Sequence, residues 1–554
     1  MGNSREIRRS ELLMPAGNLQ KLKMAVLYGA DAVYLGTPDM SLRTKSAFNL
    51  AEVVEGIEFA HEHGKRVYLT LNLFAHNKDI PKLDEYIETV RKVKPDGLII
   101  ADPGVFQYVK DRAPELELHV STQANICSWL TVKFWEEQGA SLCVLAREVS
   151  YEELVEIREK CPDIKLEAFV HGAMCMTYSG RCLLSNFMAE RGANQGNCAN
   201  SCRWNYKVHM KLKDGTVKEL ELTEDNMEMF EFFLEEGCRE GELLPIVEDE
   251  RGSYILNSKD LCLIPKLDDY LKIGVDSLKV EGRNKSQYYV GIVARAYRMA
   301  IDDWYADPEN WDPKKYMEEL GTVPNRGYTL AFHEGRLTNH AHNYENTRTL
   351  AEWEFAGLIK EIKDDAFYVE VKNTIEKGDV LEFVSPMCRE TIFLRIYEFE
   401  LVAKGGKDIS TSPTNAESVH AGQLPVIRVP FSLFEHEDVQ VLKNLYPKLS
   451  IIRKEKPLTK DAWDRLKLDQ EAQRIELGKG SDKAYDKKLG KLQESTDEAN
   501  KDATFRTPRL GTEGCCGRGC NGCMIFWNDA KYEKARKLLK DKKQGEMLKK
   551  EEGQ

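Results

Sequence analysis

Eight short β-rich runs alternating with amphipathic stretches, a later switch to two-residue alternation, and two dense cysteine groups predict an α/β chain in three parts. The parts are a (β/α)8 TIM-type barrel, a small antiparallel β-barrel domain and a short Cys-rich metal-binding tail. A length of 554 residues exceeds what one ordinary core supports, and 42% hydrophobic residues are enough to build several.

The barrel strands read in order as Glu11–Pro15, Ala32–Gly36, Val67–Asn72, Gly97–Asp102, Leu118–Thr122, Leu142–Arg147, Leu166–Val170 and Ser277–Gly282. Between the first seven lie stretches such as Leu19–Tyr28, Ala51–His63 and Tyr151–Lys160, whose apolar residues recur at helical spacing. Strict alternation gives parallel strands with right-handed crossovers, and eight such units close a barrel. The barrel is expected over residues 10–300, with a Cys-rich loop at 171–204 and an insertion at 205–260 that carries an acidic helix around Glu224–Glu236. A connector at 301–349 follows. Residues 350–445 then alternate in β fashion, with strands at Phe355–Ile362, Phe367–Val371, Val380–Phe383, Ile392–Ile396 and Val426–Val429, the pattern of a small β-barrel. Residues 446–510 are rich in lysine and acid and poor in aromatics, so they read as a helical or disordered linker; 511–554 form the Cys-rich tail with a basic helix.

The longest apolar runs, such as Gly97–Ala101, fall far short of a bilayer span, so no membrane partner is expected. The first residues, Met1 to Arg9, are charged and lack an apolar core, and Glu6 stands where a myristoylation motif needs Ser or Thr. A cytoplasmic, reducing location is expected, where clustered cysteines mean metal or redox chemistry rather than disulfides. The formal net charge of −12 argues against a chain held to nucleic acid by bulk electrostatics. Lys531–Gln554 nevertheless carries nine Lys/Arg against five Asp/Glu, which is either a local RNA footprint or a solvated helix face.

Cys175, Cys182, Cys198 and Cys202 fall within 28 residues directly after an apolar strand, interspersed with glycines. Thiolates are soft ligands that select iron–sulfur clusters, zinc or copper(I). The plainer alternative is four unrelated buried thiols. In the tail, Cys515, Cys516, Cys520 and Cys523 stand within nine residues among four glycines. The adjacent pair Cys515-Cys516 is awkward for tetrahedral zinc, which leaves a second iron–sulfur cluster or a zinc knuckle as the alternatives.

Active residues of such barrels gather where strands end. Here those positions hold Pro15, Ala16, Gly17, Gly36, Asn72, Asp102, Gln123, Arg147, Glu148, His171, Glu281 and Arg283. Asn72 or Asp102 could equally cap the next helix. Arg147, Arg181 and Arg283 suit bidentate binding of a small dianion, and His171 or Glu281 could handle protons. Tyr178 and Trp204 offer aromatic faces to an unstacked base or pack in the core.

The run Glu167-Ala-Phe-Val-His-Gly-Ala-Met-Cys175, continued by Gly180-Arg-Cys182 and Ser185, resembles the signature of peptidase family U32, the collagenase-like peptidases of the unassigned class. Glu11–Leu19, Gly29–Gly36, Ser121–Gln123, Ser258–Cys262 and Ser277–Arg283 support the likeness over about residues 10 to 440. The arrangement is most similar to the tRNA hydroxylation branch. That resemblance implies an oxygen-independent enzyme forming 5-hydroxyuridine at the wobble position of the tRNA anticodon, with prephenate as hydroxyl donor and an electron donor left open. Sister branches imply ribosomal RNA cytidine or a quinone ring as substrate, and a 4Fe-4S cluster on cysteines of this region. By position the cluster ligands are Cys175, Cys182, Cys198 and Cys202, with Cys238 and Cys262 as alternatives for the fourth, and Arg181 beside them. The tail lies outside the resemblance to shorter members.

The family name points to proteolysis, yet His61-Glu-His63 and His333-Glu-Gly335 fail the spacing of a zinc protease helix, and no Gly-x-Ser-x-Gly elbow is present. Cys175 with His171 could form a thiol-protease pair, but one nucleophile does not account for four cysteines. A non-enzymatic iron–sulfur or zinc scaffold that binds RNA for a partner enzyme is the remaining reading.

Overall fold

The computed structural model describes residues 9–36, 48–72, 75–174, 178, 258–335, 352–363, 365–402, 417–421, 426–434 and 438–456, with isolated strands within 209–254 and at 412–414. The barrel strands are β1 (Glu11–Pro15), β2 (Ala32–Gly36), β3 (Arg66–Leu71), β4 (Gly97–Ile100), β5 (Leu118–Val120), β6 (Leu142–Val144) and β7 (Lys165–Ala173). Two further strands follow, the short β8 (Asp260–Cys262) and the closing β9 (Ser277–Val280). Parallel pairing runs from β1 to β7 in chain order, and β9 pairs in parallel with both β7 and β1, so the sheet closes. The predicted TIM-type barrel is therefore present.

Helices α1 (Leu19–Leu27), α2 (Leu50–Glu62), α3 (Leu83–Val93), α4 (Pro103–Arg112), α5 (Trp129–Glu137) and α6 (Tyr151–Lys160) fill the crossovers. Their starts are chemically marked: Asn49 and Ser150 form capping boxes with Glu52 and Glu153, and Asn18, Asp102 and Ser128 accept from backbone amides of the first turn. Beyond β8 come α7 (Leu267–Lys272), then, after β9, the long α8 (Gln287–Ala306) and α9 (Lys314–Gly321). Buried Val290, Val293 and Tyr297 of α8 join the main core. The short β8 lies antiparallel on the end of β7, with Cys262 opposite His171, and is joined in parallel by β10 (Tyr328–Thr329). That appended strand falls at the end of the expected insertion.

The second sheet contains β11 (Trp353–Lys363), β12 (Ala366–Val371), β13 (Val380–Val384), β14 (Thr391–Arg395), β15 (Phe399–Val402), β16 (Ser412–Thr414), β17 (Val426–Pro430) and β18 (Ile451–Glu455). Its order is β14-β13-β18-β11-β12-β17-β15-β16, antiparallel throughout, a curled half-barrel. Strand β18 corrects the expected linker from 446. Ile451–Glu455 pairs with both β11 and β13 near the middle of the sheet, so the second domain continues to at least residue 456.

Barrel and second sheet belong to one compact unit, while the strands within 209–254 belong to another. In the first unit the Tyr28 hydroxyl donates to the Val384 carbonyl at 2.9 Å and accepts from the Ile451 amide at 2.8 Å. Buried Arg453 of β18 donates to Glu382 at 2.7 and 3.0 Å, to the Thr322 hydroxyl at 2.8 Å and to Glu319 at 3.2 Å. Tyr288 of α8 stacks on Phe355 with ring centroids 5.4 Å apart. One fully desolvated guanidinium thus neutralises carboxylates on both sides of the junction. Replacing Arg453 by Met would leave Glu382 and Glu319 buried without their shared cation, and losing one partner of a buried pair costs about 3–5 kcal/mol. Arg453→Met is expected to lower the denaturant midpoint by a corresponding amount; an unchanged midpoint would show that the junction is held by its apolar contacts alone.

Candidate active site at the barrel mouth

Alternation along β7 and β9 turns Glu167 and Phe169, and Ser277 and Lys279, toward the barrel interior. Glu167 is fully buried; its carboxylate accepts from Lys279 Nζ at 2.6 Å and from the Ser277 hydroxyl at 2.9 Å. The same Ser277 oxygen lies 3.4 Å from Glu11, which also accepts from Tyr68 at 3.1 Å and pairs with Arg66. Barrel interiors are ordinarily filled by branched apolar layers, so this buried ionic chain is a departure in want of a use. Burial depresses the Lys279 ammonium, against the opposing pull of Glu167.

Above that pair three cations converge on two rings. Lys279 Nζ is 4.6 Å from the Tyr34 ring centroid and 5.6 Å from that of Phe169. The Arg147 guanidinium carbon is 4.0 Å from the Phe169 centroid, and that of Arg283 is 5.7 Å from the Tyr34 centroid. Arg283 also donates to the Thr70 hydroxyl at 3.3 Å. Asn72 and Gln123, at the ends of β3 and β5, are buried polar residues; Gln123 accepts from Ser121, and Asn72 Oδ1 has no hydrogen-bond partner among the described residues. Gly17 lets the first βα turn meet the Arg283 loop, since a Cβ there would lie 2.0 Å from the Arg283 carbonyl oxygen.

The structure separates the residues expected at this rim. Arg147 and Arg283 come together over the interior pair. Glu281 is held through its backbone, its amide donating to His171 O and its carbonyl accepting from Tyr289. Asp102 caps α4, accepting from the Gly104 and Val105 amides, which gives it a structural task. Glu148 has one oxygen buried without a hydrogen-bond partner among the described residues, and burial raises its carboxyl. Tyr178 is exposed, with Cys127 and Glu148 nearby in its electrostatic surroundings.

His171 needs correction as a proton handler. The register between β7 and β9 shifts between Lys279 and Val280, and the bulge places His171 opposite Val280, whose side chain packs in the barrel–helix core. The imidazole accordingly sits among Tyr289, Tyr297 and Tyr328 at 5.5–5.8 Å between centroids, 1% exposed. Burial drives it down to about 3, with nearby Lys285 acting in the same direction, so it stays neutral near pH 7. Gly172 follows with φ 121°, where a Cβ would strike the Glu281 carbonyl oxygen at 2.6 Å. Its glycine in the motif is thus a packing requirement that lets β7 continue to Met174.

Cys262 is likewise a core thiol, 4.0 Å from the Tyr297 hydroxyl and 3.6 Å from the Met317 sulfur, and burial pushes it up to about 12. Cys175, Arg181, Cys182, Cys198, Cys202, Trp204, Cys238, Cys515, Cys516, Cys520 and Cys523 lie outside the described residues. Glu11, Tyr34, Tyr68, Glu167 and Lys279 were not picked out as site residues from the sequence. For Glu167 and Lys279 the signal was the charged residue alternating with apolar ones in Leu166-Glu-Ala168 and Leu278-Lys-Val280.

A closed parallel barrel with a cationic mouth, fed by a strand that runs straight into a thiol-rich segment, defines the class of an α/β-barrel enzyme scaffold. Residues 17–343 match the model of peptidase family U32, and the chain belongs to that family. It is 42% identical over 398 residues to tRNA hydroxylation protein P of Escherichia coli, covering 68% of this chain and 86% of that one. It is 35% identical over 342 residues to an uncharacterized protease of Methanocaldococcus jannaschii, covering 60% of this chain and 76% of that one. It is 31% identical over 294 residues to the 23S rRNA 5-hydroxycytidine C2501 synthase of E. coli, covering 53% of this chain and 39% of that protein. Among solved structures, the U32 peptidase Mk0906 aligns at 18% identity and a TM-score of 0.27 over 32% of this chain and 74% of that one.

Glu11 offers a test of the interior network. Burial lifts its carboxyl from 4.5 up to about 7, with Arg66 opposing and Glu167 adding to the rise. A carboxyl raised in the fold contributes stability that is complete below its unfolded value and is lost as pH climbs through the folded one. The parent is therefore expected to lose unfolding free energy between pH 4.5 and 7, and Glu11→Gln to flatten that fall. Parallel curves for parent and variant in a pH series of denaturation experiments would mean that Glu11 is ionised in the fold.

Proposed function

We propose that this chain is an oxygen-independent tRNA hydroxylase that forms 5-hydroxyuridine at the wobble position. The observation that carries the reading is the 42% identity over 68% of the chain to a protein named for tRNA hydroxylation, with a ribosomal RNA hydroxycytidine synthase among the other relatives. The mouth supports it: Arg147, Lys279 and Arg283 around Tyr34 and Phe169 suit a small organic dianion, and prephenate is the donor we infer.

Cys175, Cys182, Cys198 and Cys202 are the residues that would hold a 4Fe-4S cluster, an all-thiolate set suited to it. When bound, the cluster supplies electron transfer or a Lewis-acidic iron at the mouth. Exchanging a base C–H for the C–OH of a hydroxyl donor at the oxidation level of water releases two electrons and two protons, so an electron-accepting partner is part of the proposal. The chain's own residues orient the donor through its carboxylates, while the anticodon base reaches the mouth unstacked, against an aromatic face such as exposed Tyr178. The tail cysteines Cys515, Cys516, Cys520 and Cys523 would take a second cluster or zinc.

A thiol peptidase is the competing reading, because the family and one relative carry that name. His171 disfavours it: an imidazole buried among three tyrosines, its basicity lowered by burial, is a weak general base for a thiol. A metal-holding scaffold for another enzyme is the non-enzymatic reading.

Anaerobic purification of the parent, Cys175→Ala and Cys520→Ala, with iron and sulfide quantified and tRNA nucleosides analysed after incubation with prephenate, separates these readings. Expected is iron and sulfide in the parent, their loss from the barrel site in Cys175→Ala, and 5-hydroxyuridine formed by the parent only. Parent protein that carries zinc or no metal, and makes no hydroxylated nucleoside, returns the peptidase and scaffold readings to the front.

A further inference from the structure

We propose that Lys279 is the innermost carboxylate-binding residue of the mouth, and that Glu167 is the positioning residue that aims it. The inference rests on the reading of the mouth as the site of a dicarboxylate donor, and it adds residues which that reading did not require. Three geometric facts carry it. Lys279 lies near both rings, Tyr34 and Phe169, beside which Arg283 and Arg147 also lie, so the three cations gather around the same two side chains. Lys279 is 5% exposed and Glu167 0%, whereas Arg147 and Arg283 are half-buried, so the pair is the more deeply buried part of the group. Glu167 engages one ammonium hydrogen at 2.6 Å and is itself pinned by Ser277 at 2.9 Å, which fixes the direction of the remaining Lys279 donors.

A buried ammonium has three donors, and Glu167 occupies one. Charge-assisted hydrogen bonds to a carboxylate are strong in such a water-poor setting, because no solvent competes for the donors. One carboxylate of the donor would meet Lys279 and one of the stacked arginines, the other carboxylate the second arginine, with the carbon frame against Tyr34 and Phe169. A substrate held at two ends by fixed cations arrives in a single orientation, which is what selective transfer of one hydroxyl group requires. An amphipathic lysine that served only to neutralise Glu167 would need no aromatic frame and no neighbouring cations.

The experiment compares the parent with Lys279→Met and with the double variant Lys279→Met/Glu167→Gln. Lys279→Met alone strands a buried carboxylate and could unfold the barrel; the double variant removes both charges together and keeps the volume. Prephenate binding is read by isothermal titration, and turnover as KM for prephenate, KM for tRNA and kcat. Expected in the folded double variant is a rise of 10-fold or more in Kd and KM for prephenate, with the KM for tRNA unchanged. A double variant that binds prephenate as the parent does overturns the proposal, even while the hydroxylase reading stands. Parent protein that binds prephenate through Lys279 but hydroxylates nothing keeps the proposal and removes the hydroxylase reading; parent protein that does not bind it overturns the proposal.

Discussion

The seam between β7 and β9 is the constraint on which the rest of the structure depends. These strands are separated in the chain by a long excursion, yet they must pair in parallel for the barrel to close. Across the seam Glu167 receives Lys279 and Ser277, and Ser277 reaches on toward Glu11 in β1, so one polar chain ties three consecutive staves. Ionic pairs are poor sources of net stability when buried, because desolvation offsets much of the Coulomb gain. What they supply here is register: a slip of one residue in β9 would point Lys279 at the helices and Leu278 at Glu167, which leaves a naked carboxylate in the barrel.

The same seam carries the bulge that governs the mouth. Because the register shifts between Lys279 and Val280, β7 gains a residue relative to its partner. Phe169 stays inside beside Lys279, while His171 is delivered to the tyrosines. Gly172 then takes the left-handed backbone conformation that brings it against Glu281. One extra residue therefore takes the His171 ring out of the barrel interior and into the company of Tyr289, Tyr297 and Tyr328.

These two features explain what was legible in the sequence. All eight barrel strands could be read, and their cores were right to within a few residues, because apolar runs bounded by helix caps are local signals. Arg147 and Arg283 could be placed near one another from the sequence because they follow strand ends. His171 was misassigned because counting alternate residues along a strand assumes no bulge, and a bulge is a property of the pairing. Strand β18 was hidden for a different reason: Ile451-Ile-Arg-Lys-Glu455 looks like the start of a charged linker, and only the junction partners Glu382, Glu319 and Asp379 explain why Arg453 and Lys454 can be buried. Glu11 and Lys279 were similarly masked, since a charged residue in a strand is read as facing water until its counter-ion is located across the barrel.

Charge is the last point on which local structure overrides the chain's average. With a formal net charge of −12, the whole molecule offers a polyanion no general attraction. The field that a bound anion feels is set within a few ångströms, where screening by salt is weakest and the protein interior amplifies each cation. At the mouth Arg147 lies by the Phe169 ring and Arg283 by the Tyr34 ring, and Arg283 also donates to the Thr70 hydroxyl. Elsewhere buried arginines such as Arg453 and Arg158 donate to carboxylates instead. The same side chain thus has two settings: at the junction it closes a charge account within the fold, and at the mouth it lies beside aromatic faces, where our proposal puts a carboxylate ligand. An acidic protein can in this way gather cations around two rings despite its average charge.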